Sequence, residues 1–573
     1  MNGEDILIYD IETDGLDTTT ANLKWFGAYS YLDNEYYLLP FTKKQEIQTL
    51  LRRHSKLVGF NTMEFDNPIT ERFAGIQLNF KNNIDLLPIA KKRLPSMGID
   101  IKNFKLKTIC DELKLSELSK GDIDYKIFMK EEWTLQEQIE IKIYLKQDII
   151  LAKALFEWFS NQFEPLRQML PVNEQLKYTH IKASIPSLGY QIMCHKAGLP
   201  VIWSDIVEEK TEEDQFGGGH FIIPRFTQIR GNIVCLDVDS FYPHCILSGN
   251  LFSHKEGGWN GKPYFNNLKG SYDTSCQGKV ETPFKQILLE RLEAKRSGDK
   301  IKANSYKLVV NSLYGATGNK KFKSLYNPKT AGDCTAMAAT IMRNLAKKIE
   351  LEGFKILYGF TDSLYILIPE KSNKEELMFI VDSFLKDLRQ YVPFPQDTLK
   401  LKLEKEIKFC WFITKNCYLW IDNENKLEYK STLLNSRTPK LIMNLFNEYM
   451  SVKIKKNLCV DFTEEELIEQ LREKIKDNLS LASEEHKVKP ISEYKSKTSL
   501  EYQISSKYGE GLHLLIPNIK KIGVGMEKST KKKVGTRYCT IEEFELNNLK
   551  IEDVDFSKLI AHVKRFIGVK NDF

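Results

Sequence analysis

The sequence predicts a chain of several mixed α/β and α+β domains, on the strength of three observations. At 573 residues it has room for about three to five domains of ordinary size. Its first 40 residues read as short apolar strands, whereas helical patterns set in strongly from about residue 135. Hydrophobic residues make up 42% and aromatics 11%, enough to fill several cores and to exclude wholesale disorder. The balance of 83 basic against 77 acidic residues gives +6, too mild to name a partner by itself. None of the ten cysteines forms a CxxC pair, the closest being Cys235/Cys245 and Cys410/Cys417. That argues against a zinc ribbon or iron–sulfur centre and suits a reducing compartment. No apolar run approaches the roughly 20 residues of a membrane span. The first residues, Met1 to Asp5, are acidic where a signal peptide would be basic. The expectation is a soluble, cytoplasmic protein with no membrane partner.

Strands are expected at Ile6–Tyr9, Phe26–Tyr29 and Tyr36–Leu39, followed by a long helix over about 135–160. Residues 176–215 are polar and mixed and read as an inter-domain linker region. After Phe216-Gly217-Gly218-Gly219 comes an apolar strand, Ile233–Leu236. Helices over about 283–296 and 300–313 form a hairpin around Ser297-Gly298-Asp299, with Pro283 in a first turn and Gly315 as a stop. Residues 355–368 read as strand, short turn, strand. Beyond 441 the chain reads as helical and heavily charged, with a basic stretch from Lys520 to Arg537.

Two groups of residues carry chemistry. Asp10 and Glu12 stand at the end of the first strand, two apart and therefore on one face. Two such anions are costly together unless a cation sits between them. Asp66 follows in Asn61–Asp66, and Tyr144 and Asp148 are four apart on one face of the long helix. Four carboxylates and a phenol can hold two Mg²⁺ ions and orient a water for phosphodiester hydrolysis. Each is commonplace alone. In this order they resemble the three exonuclease motifs of RNase H-like proofreading nucleases, the type ending in a tyrosine.

The second group is Asp237-Val238-Asp239-Ser240-Phe241-Tyr242-Pro243, then Lys307 to Gly315 (KLVVNSLYG), then Tyr358 to Ser363 (YGFTDS). These resemble motifs A, B and C of family B DNA polymerases, DxxSLYP, KxxxNSxYG and YGDTDS. Phe216–Gly219 is similar to the family's YxGG joint, and Lys415-Asn416-Cys417-Tyr418 to its KKRY. The resemblance implies an RNase H-like 3′–5′ exonuclease domain (1–175), the linker region (176–215) and a right-hand polymerase. The latter would have a palm (216–282 and 315–440), helical-hairpin fingers (283–314) and a helical thumb (441–573). It also implies template-directed DNA synthesis from a nucleic-acid primer, with proofreading at a separate site. The partners would be primer–template DNA, dNTPs and a single-stranded 3′ end. Two Mg²⁺ per site are implied, with Mn²⁺ able to substitute, and nucleoid association in a prokaryote.

Residue by residue, Asp237 and Asp362 would supply the metal-bridging carboxylates, with the Val238 carbonyl as a further ligand. Asp10, Glu12, Asp66 and Asp148 would hold the nuclease metals beside Tyr144. Arg291 and Lys295, four apart, and Lys307 would grip the triphosphate together with Asn311. Lys307 would protonate the leaving pyrophosphate, and Tyr242 would stack on the sugar and exclude a 2′-hydroxyl. Gly218, Gly219, Tyr314, Lys415, Tyr418 and Lys531–Lys533 would contact DNA.

The departures set the alternative. Phe360 stands where motif C has its first aspartate, which keeps open a polymerase-impaired relative acting as a nuclease or a primer–template-binding module. Phe241 for Leu and His244 for Ser are milder changes. The first exonuclease motif begins within ten residues of the start, so the family's preceding N-terminal domain is expected to be absent. The 70 positions from Asp237 to Lys307 leave little space for a protein-priming insertion. The last residues contain no clear sliding-clamp motif, so a clamp partner stays open.

Overall fold

The computed structural model describes residues 4–431 except 100, 102, 116–122, 205–220, 223–227 and 415–416. Beyond 431 it describes chiefly 483–488, 499–509, 511–519, 526–527 and 537–550. The first strand, β1 (Ile6–Thr13), is buried along nearly its whole length, as its continuous apolar run requires. It lies mid-sheet in the order β3-β2-β1-β4-β5, with β2 (Leu23–Ser30), β3 (Glu35–Pro40), β4 (Lys56–Gly59) and β5 (Asn82–Asp85). Pairing among β1 to β3 is antiparallel, and β4 and β5 run parallel to β1. Helices α1 (Lys44–Arg53) and α2 (Asp66–Ala74) fill the connections, and α3 (Leu86–Ser96) starts on a cap from Asp85 to the Leu87 N–H. After the short α4 (Leu106–Glu112) comes α5 (Leu135–Arg167), opened by a capping box between Thr134 and Glu137. It runs past the expected end near 160 and buries Tyr144, Leu145, Asp148 and Phe159.

The segment read as a linker is folded in its first half. After α6 (Val172–Leu176) come α7 (Thr179–Lys182) and α8 (Ile185–Lys196). Gly189 explains why α8 belongs to a packed layer: a Cβ there would lie 1.8 Å from Ser312 Oγ, so the helices meet where one has no side chain.

The chain continues through β6 (Phe221–Ile222), β7 (Gln228–Val238), α9 (Phe241–Gly249) and β8 (His254–Trp259). The helical hairpin is α10 (Glu281–Arg296) and α11 (Lys300–Thr317), the latter capped by Asp299. Gly315 lies inside α11 and does not end it; Gly318 is its C-cap. Then follow α12 (Pro328–Leu351), β9 (Lys355–Phe360), β10 (Ser363–Leu367), α13 (Lys374–Leu388), β11 (Leu401–Thr414), β12 (Cys417–Asp422) and β13 (Leu427–Ser431).

The chain divides into two compact units. One comprises residues 1–220, 238–344 and 382–400, and the other 221–237, 345–381 and 401–573. The second holds a seven-stranded sheet, β13-β12-β11-β7-β10-β9-β6. That sheet curls on itself, since Tyr358 of β9 stacks on Phe412 of β11 at 5.0 Å and meets Tyr418 of β12 at 5.2 Å. Ile233, Cys235, Tyr365 and Trp420 complete this aromatic core.

Toward the C-terminus the helical reading is corrected among the described residues. The helices α14 (Leu500–Tyr508) and α15 (Ile541–Leu546) are there. They accompany an antiparallel sheet, β14 (Glu484–Val488), β15 (Gly511–Ile519), β17 (Arg537–Thr540) and β16 (Met526–Glu527) in that spatial order. Strand β14 reads Glu-Glu-His-Lys-Val, a charged sequence that hides its strand character. Among the described residues, no helix is long and apolar enough to cross a membrane.

Candidate active sites

The nuclease-like site is built on β1 and α5. Asp10, Glu12 and Asp148 bring one carboxylate oxygen each within 4.8 Å of one another. Period two on β1 aligns the first pair, and α5 delivers Asp148. The close approach depends on Gly27, which pairs with Asp10 across β1/β2. A Cβ at Gly27 would lie 2.5 Å from Leu145 Cγ, so only glycine lets α5 settle this near the sheet. Three hard oxygen ligands in one cluster can hold a divalent ion such as Mg²⁺ or Mn²⁺.

Asp66 is not among the three converging acids. Its carboxylate accepts the Ile11 N–H at 3.1 Å, between the two β1 acids in sequence. Burial pushes it up to about 7 against that hydrogen bond, with Asp85 adding to the rise. Asp85 also accepts the Asn61 and Met63 N–H groups, which fixes the loop leading to Asp66. Tyr144 is buried, and its hydroxyl meets that of Tyr125 at 2.9 Å. Burial, the Tyr125 hydrogen bond and then Asp148 and Glu12 hold its phenol well above the usual range. Tyr125, which is 63% exposed, was missed from sequence. It lies 19 residues upstream in a short 3-10 turn, and no spacing signals it. Beside Tyr144 an open pocket of about 210 Å³ is lined by Ile139, Ile143 and Gln147 of α5 together with Ile123.

The second site begins at a hairpin tip. Ser363 of β10 pairs with Asp237 of β7 and with Phe360 of β9. Directly opposed residues share a face, so Asp237, Ser363 and Phe360 form one row across three strands. Thr361 and Asp362 make the two-residue turn, with Thr361 in the left-handed region at φ 49°. Asp362, lying in the turn, escapes strand alternation; its N–H donates to the Phe360 carbonyl at 2.6 Å. Burial raises its carboxyl, the Lys430 cation lowers it and Glu404 raises it again. Lys430 of β13 holds its ammonium 5.1 Å over the Phe360 ring. No local pattern signals this neighbour, which lies 70 positions further along the chain.

In the first unit, the residue after motif A's Val238 is engaged by the fingers-like hairpin. Arg291 and Lys295 of α10 reach Asp239 at 3.6 and 3.8 Å, and Arg291 donates to Ser240 Oγ at 2.5 Å. Lys307 and Asn311 are exposed on one face of α11. The Tyr242 and Tyr314 rings stack at 4.3 Å, 27° from coplanar.

Tyr418, expected at DNA, is corrected: it is buried in the aromatic core, and its hydroxyl accepts from Tyr365 at 3.4 Å. Gly218, Gly219, Lys415, Lys531, Lys532 and Lys533 lie outside the described residues.

A ribonuclease H-like sheet with converging acids, followed by an acid-tipped hairpin sheet and a cationic helical hairpin, defines a nucleotidyltransferase-type fold joined to a nuclease-type domain. Comparison with known proteins agrees. Residues 7–130 match the RNase H superfamily, and residues 287–517 match DNA polymerase family B. DNA polymerase 1 of Aeropyrum pernix is 24% identical over 98% of this chain and 60% of its own length. DNA polymerase 1 of Saccharolobus solfataricus is 30% identical over 34% of this chain and 22% of its own. The family B DNA polymerase structure from Pyrobaculum calidifontis, at 14% identity, shares the fold with a TM-score of 0.52 over 99% of this chain and 78% of that one. The chain is thus similar to the family B DNA polymerases over residues 287–517 and to the RNase H superfamily over residues 7–130, and it spans only part of the length of these curated relatives.

Proposed function

We propose that this chain extends the 3′ end of a DNA primer along a template from deoxynucleoside triphosphates, and removes 3′-terminal nucleotides at its N-terminal site. The observation that carries the synthetic reading is the register that sets Asp362 next to the residue opposite Asp237. Two carboxylates at neighbouring strand ends fit divalent ions, which when bound activate the primer hydroxyl and offset charge on the departing pyrophosphate. Asp237, Asp362 and the Val238 carbonyl are the proposed ligands. Arg291, Lys295 and Lys307 neutralise the triphosphate, Asn311 helps orient it, and Lys307 hands a proton to the leaving group.

At the nuclease site Asp10, Glu12 and Asp148 hold the ion, and Asp66 orders the backbone between the β1 acids. Tyr144, with Tyr125 on its hydroxyl, positions the water. The pocket beside Tyr144, lined by Ile123, Ile139 and Ile143 together with Gln136, Glu140 and Gln147, offers apolar contact and amide hydrogen-bonding groups to the bases of a single-stranded 3′ end.

The test is primer extension in Mg²⁺ and in Mn²⁺, with dNTPs present or withheld. Extension with dNTPs and shortening without them is the expected pair of results. Failure to insert a nucleotide under either metal overturns the synthetic half.

Phe360 sets the expected rate. An apolar ring in motif C removes negative potential, and the Lys430 cation above it removes more, so metal binding weakens without losing Asp237 or Asp362. Phe360→Asp should speed single-turnover insertion at low Mg²⁺ by up to about tenfold, because Lys430 would pair with the new carboxylate. Adding Lys430→Ala should bring the gain toward a hundredfold, about 2.7 kcal/mol in all. A slower Phe360→Asp enzyme would show that the ring serves the site.

Tyr242 sets sugar choice. Its ring is held against Tyr314, so Tyr242→Ala opens space where the ring stood. Ribonucleotide insertion relative to deoxyribonucleotide should rise at least about tenfold, the sensitivity of a shaped pocket to steric bulk. An unchanged ratio assigns the gate to another side chain.

A further inference from the structure

We propose that Asp239 is a built-in stand-in for the nucleotide's phosphates: its carboxylate occupies the Arg291 and Lys295 cations until the triphosphate of an incoming nucleotide displaces it. This deepens the polymerase reading and rests on it. The two cations sit one turn apart on α10 and converge on the two oxygens of one carboxylate, Arg291 Nη2 on Oδ1 at 3.6 Å and Lys295 Nζ on Oδ2 at 3.8 Å. Two donors reaching two oxygens on one centre is also how a phosphate is held. Ser240 completes the arrangement, accepting from Arg291 Nη1 at 2.5 Å and donating to Asp239 Oδ1 at 3.3 Å.

Exposure says why such a device is useful and why it can open. Arg291 is only 8% exposed, and a guanidinium that buried is unstable without an anion beside it. The Lys295 side chain is 55% exposed, so its bond to Asp239 is weak and readily exchanged. Distances of 3.6 to 3.8 Å are those of ion pairs that have not closed to tight hydrogen bonds. A triphosphate, with several negative charges against one, wins this competition. The cost falls on affinity: a latch closed nine-tenths of the time raises the apparent Kd about tenfold.

Asp239 is also two residues from Asp237, so the rival role is a third metal ligand of motif A. The two roles predict opposite signs. As a stand-in, Asp239→Asn should tighten binding of the correct dNTP to a complex with dideoxy-terminated primer–template by about three- to tenfold. Arg291→Ala and Lys295→Ala should weaken it. Asp239→Glu, which keeps the charge, should behave as wild type. The Mg²⁺ requirement of insertion on an extendable primer should not increase in Asp239→Asn. Unchanged or weaker dNTP binding by a variant with wild-type thermal unfolding overturns the proposal, and so does a raised Mg²⁺ requirement. A second probe is inorganic tripolyphosphate added to the protein alone without metal, followed by calorimetry; Asp239→Asn should bind it more tightly. That measurement also separates the two levels. A wild type that extends no primer sinks the polymerase reading, whereas equal tripolyphosphate affinities in wild type and Asp239→Asn sink the latch alone.

Discussion

Asp237→Ala is expected to cut primer extension by at least about 10³-fold, roughly 4 kcal/mol of transition-state stabilisation, while 3′-end degradation continues at the wild-type rate. Motif C here offers one carboxylate where its pattern has two, because Phe360 replaces the first. The hairpin tip therefore brings Asp362 to the site and β7 brings Asp237, and no further motif C acid can take over a ligand position. Asp237 is half-buried at the end of a strand whose interior, Ile233 to Leu236, carries the packing. Truncating it should barely change thermal unfolding, and Asp237→Asn, which keeps the shape, should lose activity to a similar extent. Quench-flow extension of a labelled primer, run beside degradation of the same primer without dNTPs, measures both activities in one preparation. Normal extension by Asp237→Ala would mean that the palm assignment is wrong.

Period two on β1 and period 3.6 on α5 were readable, because a buried strand and a capped amphipathic helix leave strong repeats. They placed Asp10, Glu12, Tyr144 and Asp148 on the correct faces. They could not say that Asp148 meets the β1 acids, since that depends on the missing side chain of Gly27 in another strand. Nor could they separate Asp66 from the cluster, because an N–H from Ile11 claims its carboxylate only once β1 and α2 are folded together. Tyr418 misled for a different reason. An aromatic residue in a strand can face a ligand or a core, and the curl of the palm-like sheet decides for the core. The Asp239 contacts and the Lys430 ammonium over Phe360 join residues 52 to 70 positions apart, beyond any local pattern. The C-terminal sheet was hidden by charge, with Glu-Glu-His-Lys-Val serving as a strand.

Asp10→Ala combined with Glu12→Ala should do the reverse of Asp237→Ala, abolishing removal of 3′-terminal nucleotides and leaving extension intact. With both acids gone Asp148 remains, and a lone carboxylate cannot hold a dication in a defined position; a fall of about 10³-fold or more follows. The same variant carries a thermodynamic signature that activity alone would not give. Three carboxylates within 4.8 Å repel one another when no cation lies between them. In metal-free buffer the variant should therefore unfold at a temperature no lower than wild type, and Mn²⁺ should raise the wild-type Tm by more than the variant's. An ion bound only by the folded state stabilises it by RT ln(1 + [L]/Kd), about 2.7 kcal/mol at a hundred times Kd. Ions held at the proposed Asp237 and Asp362 site would contribute equally to both proteins, so the difference reports the nuclease cluster. Identical Mn²⁺ shifts would show that Asp10, Glu12 and Asp148 hold no metal, whatever the nuclease assay gives. Loss of the shift with degradation unimpaired would move hydrolysis elsewhere in the chain.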